Sequence, residues 1–447
     1  MTTLLRTALA MLACTAVMPA MAATYTVTKT DDTFDGVCNS DCSLREAVQA
    51  ANLHPGADLI RLPAGRYVLS LGTAGVGDEQ DNSVGDLDVG GALDIAGAAR
   101  DTTIIDGGYR DRVLEILSGA SFRATSLTIT KGANSSAPNG GGNILNAGTA
   151  MLRNTRITAD FLISNATRGG GIANQGTMTL ENCLIENVNS SSSGGGLFNS
   201  GTLFLRRSEV RANGSRSGGG LYNAGSAYIE QSLFSSNSAS QYSGGFAIYN
   251  VGVLEASSST ISGNFNKIAE DFAFDLVGAV ANFGTMNLSF VTITNNIGGG
   301  LYNSGTVSLY GSLMSGNLSA HLMREPPDED EPPYDLDIPP EVSNTDCVND
   351  GSYTSQNTIV SLSNYFCPGQ YQIDSNSIGT LIEPLRLGGG VTATHKPRRG
   401  SLLVDAIDPS SATDACAAVD QRGARRPPND DGRRGLRCDI GAYELLQ

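Results

Sequence analysis

Between residues 146 and 303 one Asn-x-Gly triplet recurs at the same place in seven copies of a repeat, at Asn146, Asn174, Asn199, Asn223, Asn250, Asn282 and Asn303, with steps of 28, 25, 24, 27, 32 and 21 residues. A self-similar period of this length marks a solenoid or an array, in which one unit cannot bury a face alone and stability comes from stacking on the next unit. The copy at Gly194-Gly195-Gly196-Leu197-Phe198-Asn199-Ser200-Gly201 shows the unit clearly: it runs into Leu203-Phe204-Leu205 and then Ser208 to Asn213. Three short runs alternate apolar and polar residues, with glycine or asparagine at the corners between them. That is the two-residue period of strands and not the 3.6-residue period of helices.

Strands of three to five residues stacked in parallel at about 4.8 Å per coil satisfy this pattern. Glycine is expected at corners needing φ > 0, and asparagine is expected to share that conformation while its amide pairs with the Asn one coil away. A β-propeller blade needs about 40 residues and four strands, and leucine-rich repeats need a Leu-x-x-Leu-x-Leu frame absent here. The fold expected is all-β: a right-handed parallel β-helix, a pectin-lyase-like solenoid, with an N-terminal capping helix and a disulfide-bearing C-terminal cap.

Composition suits a thin apolar column. The 447 residues include 54 glycines and no tryptophan, and only 17% are charged, with a net charge of −16. Such acidity argues against a nucleic-acid partner and against charge-driven binding to an anionic membrane. Residues 1–22 read as a signal peptide: Arg6, an apolar run from Thr7 to Val17, and Ala20-Met21-Ala22 for cleavage. No other apolar run is long enough to span a bilayer, so the expectation is a secreted or cell-surface chain, not membrane-spanning and monomeric.

Export makes cysteines readable as disulfide candidates. Adjacent pairing joins Cys38 with Cys42, Cys347 with Cys367 and Cys416 with Cys438, leaving Cys183 inside a repeat where other copies carry Ser208, Ser232, Ser259 or Ser312. Cys183 is therefore read as a small stacking residue and not as a nucleophile. The three histidines, His54, His321 and His395, are not spaced to complete a zinc site with a cysteine pair.

The segment Cys42-Ser43-Leu44-Arg45-Glu46-Ala47, continuing through Val48 and Ala51 to Asn52, predicts a capped amphipathic helix. Ser43 and Glu46 supply a Ser-x-x-Glu capping box, and Leu44, Ala47, Val48 and Ala51 one apolar stripe that would cover the open first coil. Residues 58–69 follow as two strands around Pro63-Ala64-Gly65. Over residues 25 to 70 the chain resembles the CSLREA family of bacterial domains, named for those six letters. At the other end, Ser401 to Ala406, Asp420-Gln421-Arg422-Gly423 and Cys438-Asp439-Ile440-Gly441-Ala442-Tyr443-Glu444 are similar to the choice-of-anchor Q domain. That resemblance implies a C-terminal module of secreted and surface bacterial proteins. The arginines here, Arg422, Arg425, Arg426, Arg433, Arg434 and Arg437, offer an anion-binding patch for an acidic glycan or phosphate. Interleaved Asp420, Asp430, Asp431, Asp439 and Glu444 favour internal pairing instead.

The expected organisation is thus a signal peptide at 1–22, an N-terminal cap at 23–90, β-helix repeats at 91–323, an acidic proline-rich insertion at 324–345, and last coils with the C-terminal module at 346–447. No cofactor is expected, with one alternative: Asp78, Asp81, Asp86 and Asp88 offer calcium several oxygens on a loop, at a spacing that matches neither an EF-hand nor a β-roll nonapeptide.

No catalytic residue is expected. Hydrolases resembling polygalacturonase would show Gly-His-Gly, which is absent, and lyase signatures built on tryptophan cannot occur. The outward charges Glu181, Arg206, Arg207, Glu209 and Glu230 read as scattered and solvated. The function expected is a noncatalytic structural, adhesive or glycan-binding role, with an extracellular glycan or cell-surface component as partner. The alternative is a polysaccharide lyase or glycoside hydrolase whose groups assemble across coils.

Overall fold

The computed structural model describes residues 21–72, 81–133, 140–159, 166–240, 244–266, 278–318, 346–361, 367–409, 415–427 and 437–445. The signal-peptide reading (apart from its last two residues), Asp78, the acidic insertion, and Arg433 and Arg434 lie outside these residues.

The chain coils as a parallel β-helix with three long sheets. The first sheet has twelve strands, from Thr24–Thr26 and Ala57–Leu62 to Ser352–Gln356. The second sheet also has twelve, from Gly65–Val68 to Tyr371–Ile373, and the third has ten, from Leu87–Val89 to Cys347–Asn349. All pairings within them are parallel, and register is kept coil to coil, as in Thr202↔Ser226 and Asn199↔Asn223. Strands this short are held by their stacked neighbours, as the repeat required. Between the sheets runs one apolar column, in which Ile60, Leu152, Leu180, Leu205, Leu254 and Val307 are almost fully buried.

The asparagine ladder is continuous. Each Nδ2 donates to the next Oδ1 at 2.6–2.8 Å, from Asn146 through Asn174, Asn199, Asn223, Asn250, Asn282 and Asn303 to Asn349. The same amides also donate to backbone carbonyls of the following coil, as Asn223 does to Val253 O at 2.9 Å. These asparagines do not adopt positive φ, contrary to the corner conformation expected for them. Left-handed backbone occurs instead between the first and second sheets, at Asn154, Asn182, Arg207, Gln231, Ser258 and Phe290. The glycine of Asn-x-Gly likewise serves spacing: a Cβ on Gly201, Gly225, Gly252 or Gly284 would overlap the carbonyl oxygen of the equivalent glycine one coil before. A second ladder, Asn213, Asn237, Asn264, Asn296, Asn317 and finally Asp346, runs at the corner after the second sheet, with links of 2.7–3.0 Å.

The solenoid starts earlier than the domain division anticipated, because the strands at 57–62, 65–68 and 87–89 already form a first coil within the segment read as a cap. A long excursion between the second and third of these strands hides the period there. Over the open edge lies the helix Leu44–Leu53, with both arms of the Ser43–Glu46 capping box formed. The letters of the motif divide the work. Cys42 is tied to Cys38, Leu44 and Ala47 enter the core, and Glu46 caps Ser43 N at 2.7 Å while receiving Thr33 and the Asp35 amide. Arg45 is fully buried; it pairs with Asp32 and donates to the carbonyls of Asn82, Val84, Gly85 and Asp86, pinning the 82–86 loop onto the helix.

The C-terminal end does more than close the last coil. Residues 371–373 extend the second sheet, and Ser375 ties Gly316 to Asp346. The chain then folds back along the flank of the second sheet. Gln231 donates to Asp420 O, Ser258 to Val419 O and Thr260 to Gln421, while His395 meets Ser262 at 2.9 Å and Ala442 N donates to Thr292. Phe290, Leu313 and Ile359 of the solenoid join Leu403, Ile407, Cys438 and Ile440 in a second small core. Disulfides link Cys38–Cys42, Cys347–Cys367 and Cys416–Cys438. No helix among the described residues is long and apolar enough to cross a membrane.

Candidate functional site

Outward positions of the first sheet form columns along the solenoid. From the first coil onward, one column reads Leu59, Asp94, Arg123, Met151 and its neighbour reads Arg61, Ala96, Thr125, Arg153. Ala96 and Thr125 are short while Arg123, Met151 and Arg153 are long, so the face sinks between them. The result is a groove of about 380 Å³ lined by Leu59, Asp94, Ala96, Arg123, Thr125, Met151 and Arg153, within the size range of small-ligand sites.

Its charges are set by what lies beyond it. Arg153 is anchored by Glu181 at 2.6 Å, and Glu181 also holds Arg207. Burial pushes the Glu181 carboxyl up, but the two guanidiniums outweigh it and hold the pKa below the usual carboxylate range. Arg61, Asp94 and Arg123 are exposed, and among the described residues their side chains make no ion pair or hydrogen bond within the chain. Asp94 and Arg123 are register partners on adjacent coils. Their polar groups face solvent across the floor of the groove, ready to meet hydroxyls and anions.

The acidic loop resolves differently from the calcium reading. Asp81 is exposed and caps a local turn by accepting from Ser83 N at 2.9 Å. Asp86 and Asp88 do come together, with Glu115 from the next coil, all three buried and with carboxylate oxygens within 4.8 Å of one another. A cation already stands among them: Arg112 Nε lies 3.1 Å from Asp86 and its Nη1 2.9 Å from Glu115. Calcium needs six to eight oxygens, and a guanidinium in this place repels it. The donor set therefore fits an Arg112-centred ion cluster better than a calcium site. Glu115 escaped sequence reading because it lies one coil away from the loop.

The remaining sequence-derived residues are structural. Burial pushes the Cys183 thiol up to about 12, so it stays protonated and inert; its amide donates to Ser208 Oγ at 3.0 Å in a Ser column continued by Ser232 and Ser259. Arg422 pairs with Asp420 and lies 3.5 Å over the Tyr443 ring, Arg426 pairs with Glu444 and Arg437 with Asp408. Glu181, Arg206, Arg207, Glu209 and Glu230 are not scattered: they belong to inter-coil ion pairs such as Arg206–Glu230 at 3.2 Å and Arg207–Glu181, with Arg211–Glu209 at 3.3 Å beside them. An aromatic column, Phe198, Tyr222, Tyr249, Phe283 and Tyr302, stacks on the third sheet at 5.0–5.6 Å. The first three rings, nearly parallel, direct their faces at one another, so the column is no open platform.

No family model matches this sequence, and no curated protein is similar to it in sequence. Among solved structures the chain is similar to pectate lyase Pel9A, with 12% identity over 96% of this chain and 98% of that one and a TM-score of 0.51. It also aligns with the A-module of the Azotobacter vinelandii mannuronan C-5 epimerase AlgE4, at 14% identity over 74% of this chain and 96% of that one with a TM-score of 0.28. A third alignment, to Geobacillus virus E2 ORF18, has 11% identity over 74% of this chain and 61% of that one and a TM-score of 0.32. The first likeness is one of fold, a pectate-lyase-like parallel β-helix. At such identity no catalytic group carries over.

Proposed function

We propose that this is an exported, monomeric β-helix protein that binds an extracellular or cell-surface glycan without cleaving it. The observation that carries the reading is the first-sheet groove, whose floor presents Asp94 and Arg123 free of internal partners between the walls formed by Met151 and Arg153. Three disulfides support an oxidising compartment. Covers over both ends of the solenoid, the 44–53 helix and residues 371–381, support a monomer. The terminal segments resembling the CSLREA and choice-of-anchor Q families belong to the same proposal.

Cleavage is disfavoured by the groove itself. Glycoside hydrolysis uses two carboxylates flanking one bond, and Asp94 is the single carboxylate lining the groove among the described residues. The buried cluster of Asp86, Asp88 and Glu115 is closed to solvent and stands on the third sheet. One observation favours the second reading, a lyase: Asp94 and Arg123 sit side by side on adjacent coils, a carboxylate and a cationic side chain on neighbouring strands. A glycan-array screen of the purified protein with product analysis separates the two. Retention of a glycan with no change in chain length is expected, whereas unsaturated or new reducing ends would replace the binding reading with the lyase.

A further inference from the structure

Along the strands of the three long sheets the outward arginines other than Arg61 and Arg123 are consumed by the protein, as Arg66 is by Asp106. On the first sheet Arg153, Arg206 and Arg207 pair with Glu181 and Glu230; on the second, Arg156 and Arg211 pair with Glu186. Arg61 and Arg123 break this habit: both are exposed, and neither has a partner among the described residues. Both adjoin the groove, Arg123 on its floor beside Asp94 and Arg61 as the register partner of Ala96 at its rim.

Counting Arg61, Arg123 and Arg153 against Asp94 and Glu181, the groove keeps one net positive charge in a chain whose net charge is −16. A neutral ligand would give the chain no use for this local reversal of sign, and a cationic one would be repelled. From Arg61 to Arg153 is three coils, roughly 14 Å at the stacking repeat of parallel strands. A few linked sugars could therefore meet all three guanidiniums at once. Guanidinium suits carboxylate and sulfate because its fork donates two parallel hydrogen bonds to two oxygens of the anion.

Resting on the glycan-binding reading, we infer that the groove ligand is an anionic sugar chain, its carboxylate or sulfate groups held by Arg123 and Arg61 and its hydroxyls by Asp94. Arg123 is the central anchor and Arg61 an outer one.

The test uses the full-length mature protein titrated with three probes: a uronic-acid oligomer, the same oligomer with its carboxylates reduced to alcohols, and a sulfated oligosaccharide. Binding of a charged probe at least tenfold tighter than of the reduced one, weakened about tenfold by Arg123→Gln and unaffected by Arg206→Gln, is the expected result. Preference for uronate over sulfate, or the reverse, identifies the anion. Equal affinity for the reduced oligomer, lost when Thr125→Trp fills the groove, would overturn the anionic inference while keeping the glycan site. Binding of charged probes that survives Arg123→Gln would also overturn it, placing the anion elsewhere. No binding of any sugar to a folded protein would remove the inference together with the reading beneath it.

Discussion

Two glycines separate the demands of stacking from those of backbone conformation. Gly225 has a backbone open to any residue, yet its Cβ would overlap the Gly201 carbonyl oxygen, so Gly225→Ala forces two coils apart. Gly263 has φ +70° and nothing within 4 Å of where a methyl group would stand, so Gly263→Ala costs only the left-handed conformation, about 1 kcal/mol. Urea denaturation should show the first far more damaging than the second; equal effects would contradict the spacing role. Asn223 is fully buried and donates to Asn250, Gly225 O and Val253 O. Asn223→Ala removes those bonds and leaves Asn199 Nδ2 without its side-chain acceptor and Asn250 Oδ1 without its donor, a loss of about 2–4 kcal/mol expected as a lower denaturation midpoint. The ladder was legible in the sequence because its Asn and its Gly recur together. The second ladder was less so: Asn213, Asn237, Asn264, Asn296 and Asn317 stand without a fixed companion, and only their spacing from the Ser column marks them. Asn349-Asp350-Gly351 continues the first ladder as its eighth rung, set apart from the others by the long acidic insertion.

At the scale of elements, the capping helix could be read from its box and stripe, but the role of Arg45 could not. Its partners, the carbonyls of Asn82 to Asp86, lie about 40 residues away in sequence and carry no side-chain signature. Arg45→Met should keep the helix and free the 82–86 loop, giving new proteolytic cleavage between residues 72 and 90; an unchanged digestion pattern would count against the clamp. The C-terminal module offers a pH test. Burial, with the nearby Asp439 carboxylate, pushes Glu444 from 4.5 up to about 7 despite the pairing with Arg426. Asp420 also faces it, and Arg422 and His395 pack within the same module, His395 with its pKa lowered by burial. Because the folded carboxyl holds its proton more tightly than the unfolded one, its contribution is complete below about 4.5 and is lost as pH rises to about 7. That loss is on the order of 3 kcal/mol. His395 works in the opposite sense, destabilising as pH falls below its ordinary value. Glu444→Gln should therefore flatten the fall in stability between pH 5 and 7.5, measured by thermal melts; an unaltered slope would contradict the assignment.

Over the whole molecule, the architecture was readable from one recurring triplet, whereas the groove was not readable at all. Leu59, Asp94, Arg123 and Met151 become neighbours only because coils stack in register, and the coils that carry them precede the clean part of the repeat. The backward run of the C-terminal module was hidden for the same reason, since Gln231 and Asp420 are 189 residues apart. What the two ends and the paired flanks leave available is the first-sheet groove, and the account rests on its being the place where a glycan sits. The most direct measurement compares, by isothermal titration calorimetry, the affinity of the wild-type protein and of Thr125→Trp for a glycan that the protein retains. The account predicts a loss of at least tenfold in the variant with an unchanged melting temperature; equal affinity in a folded Thr125→Trp protein would contradict it.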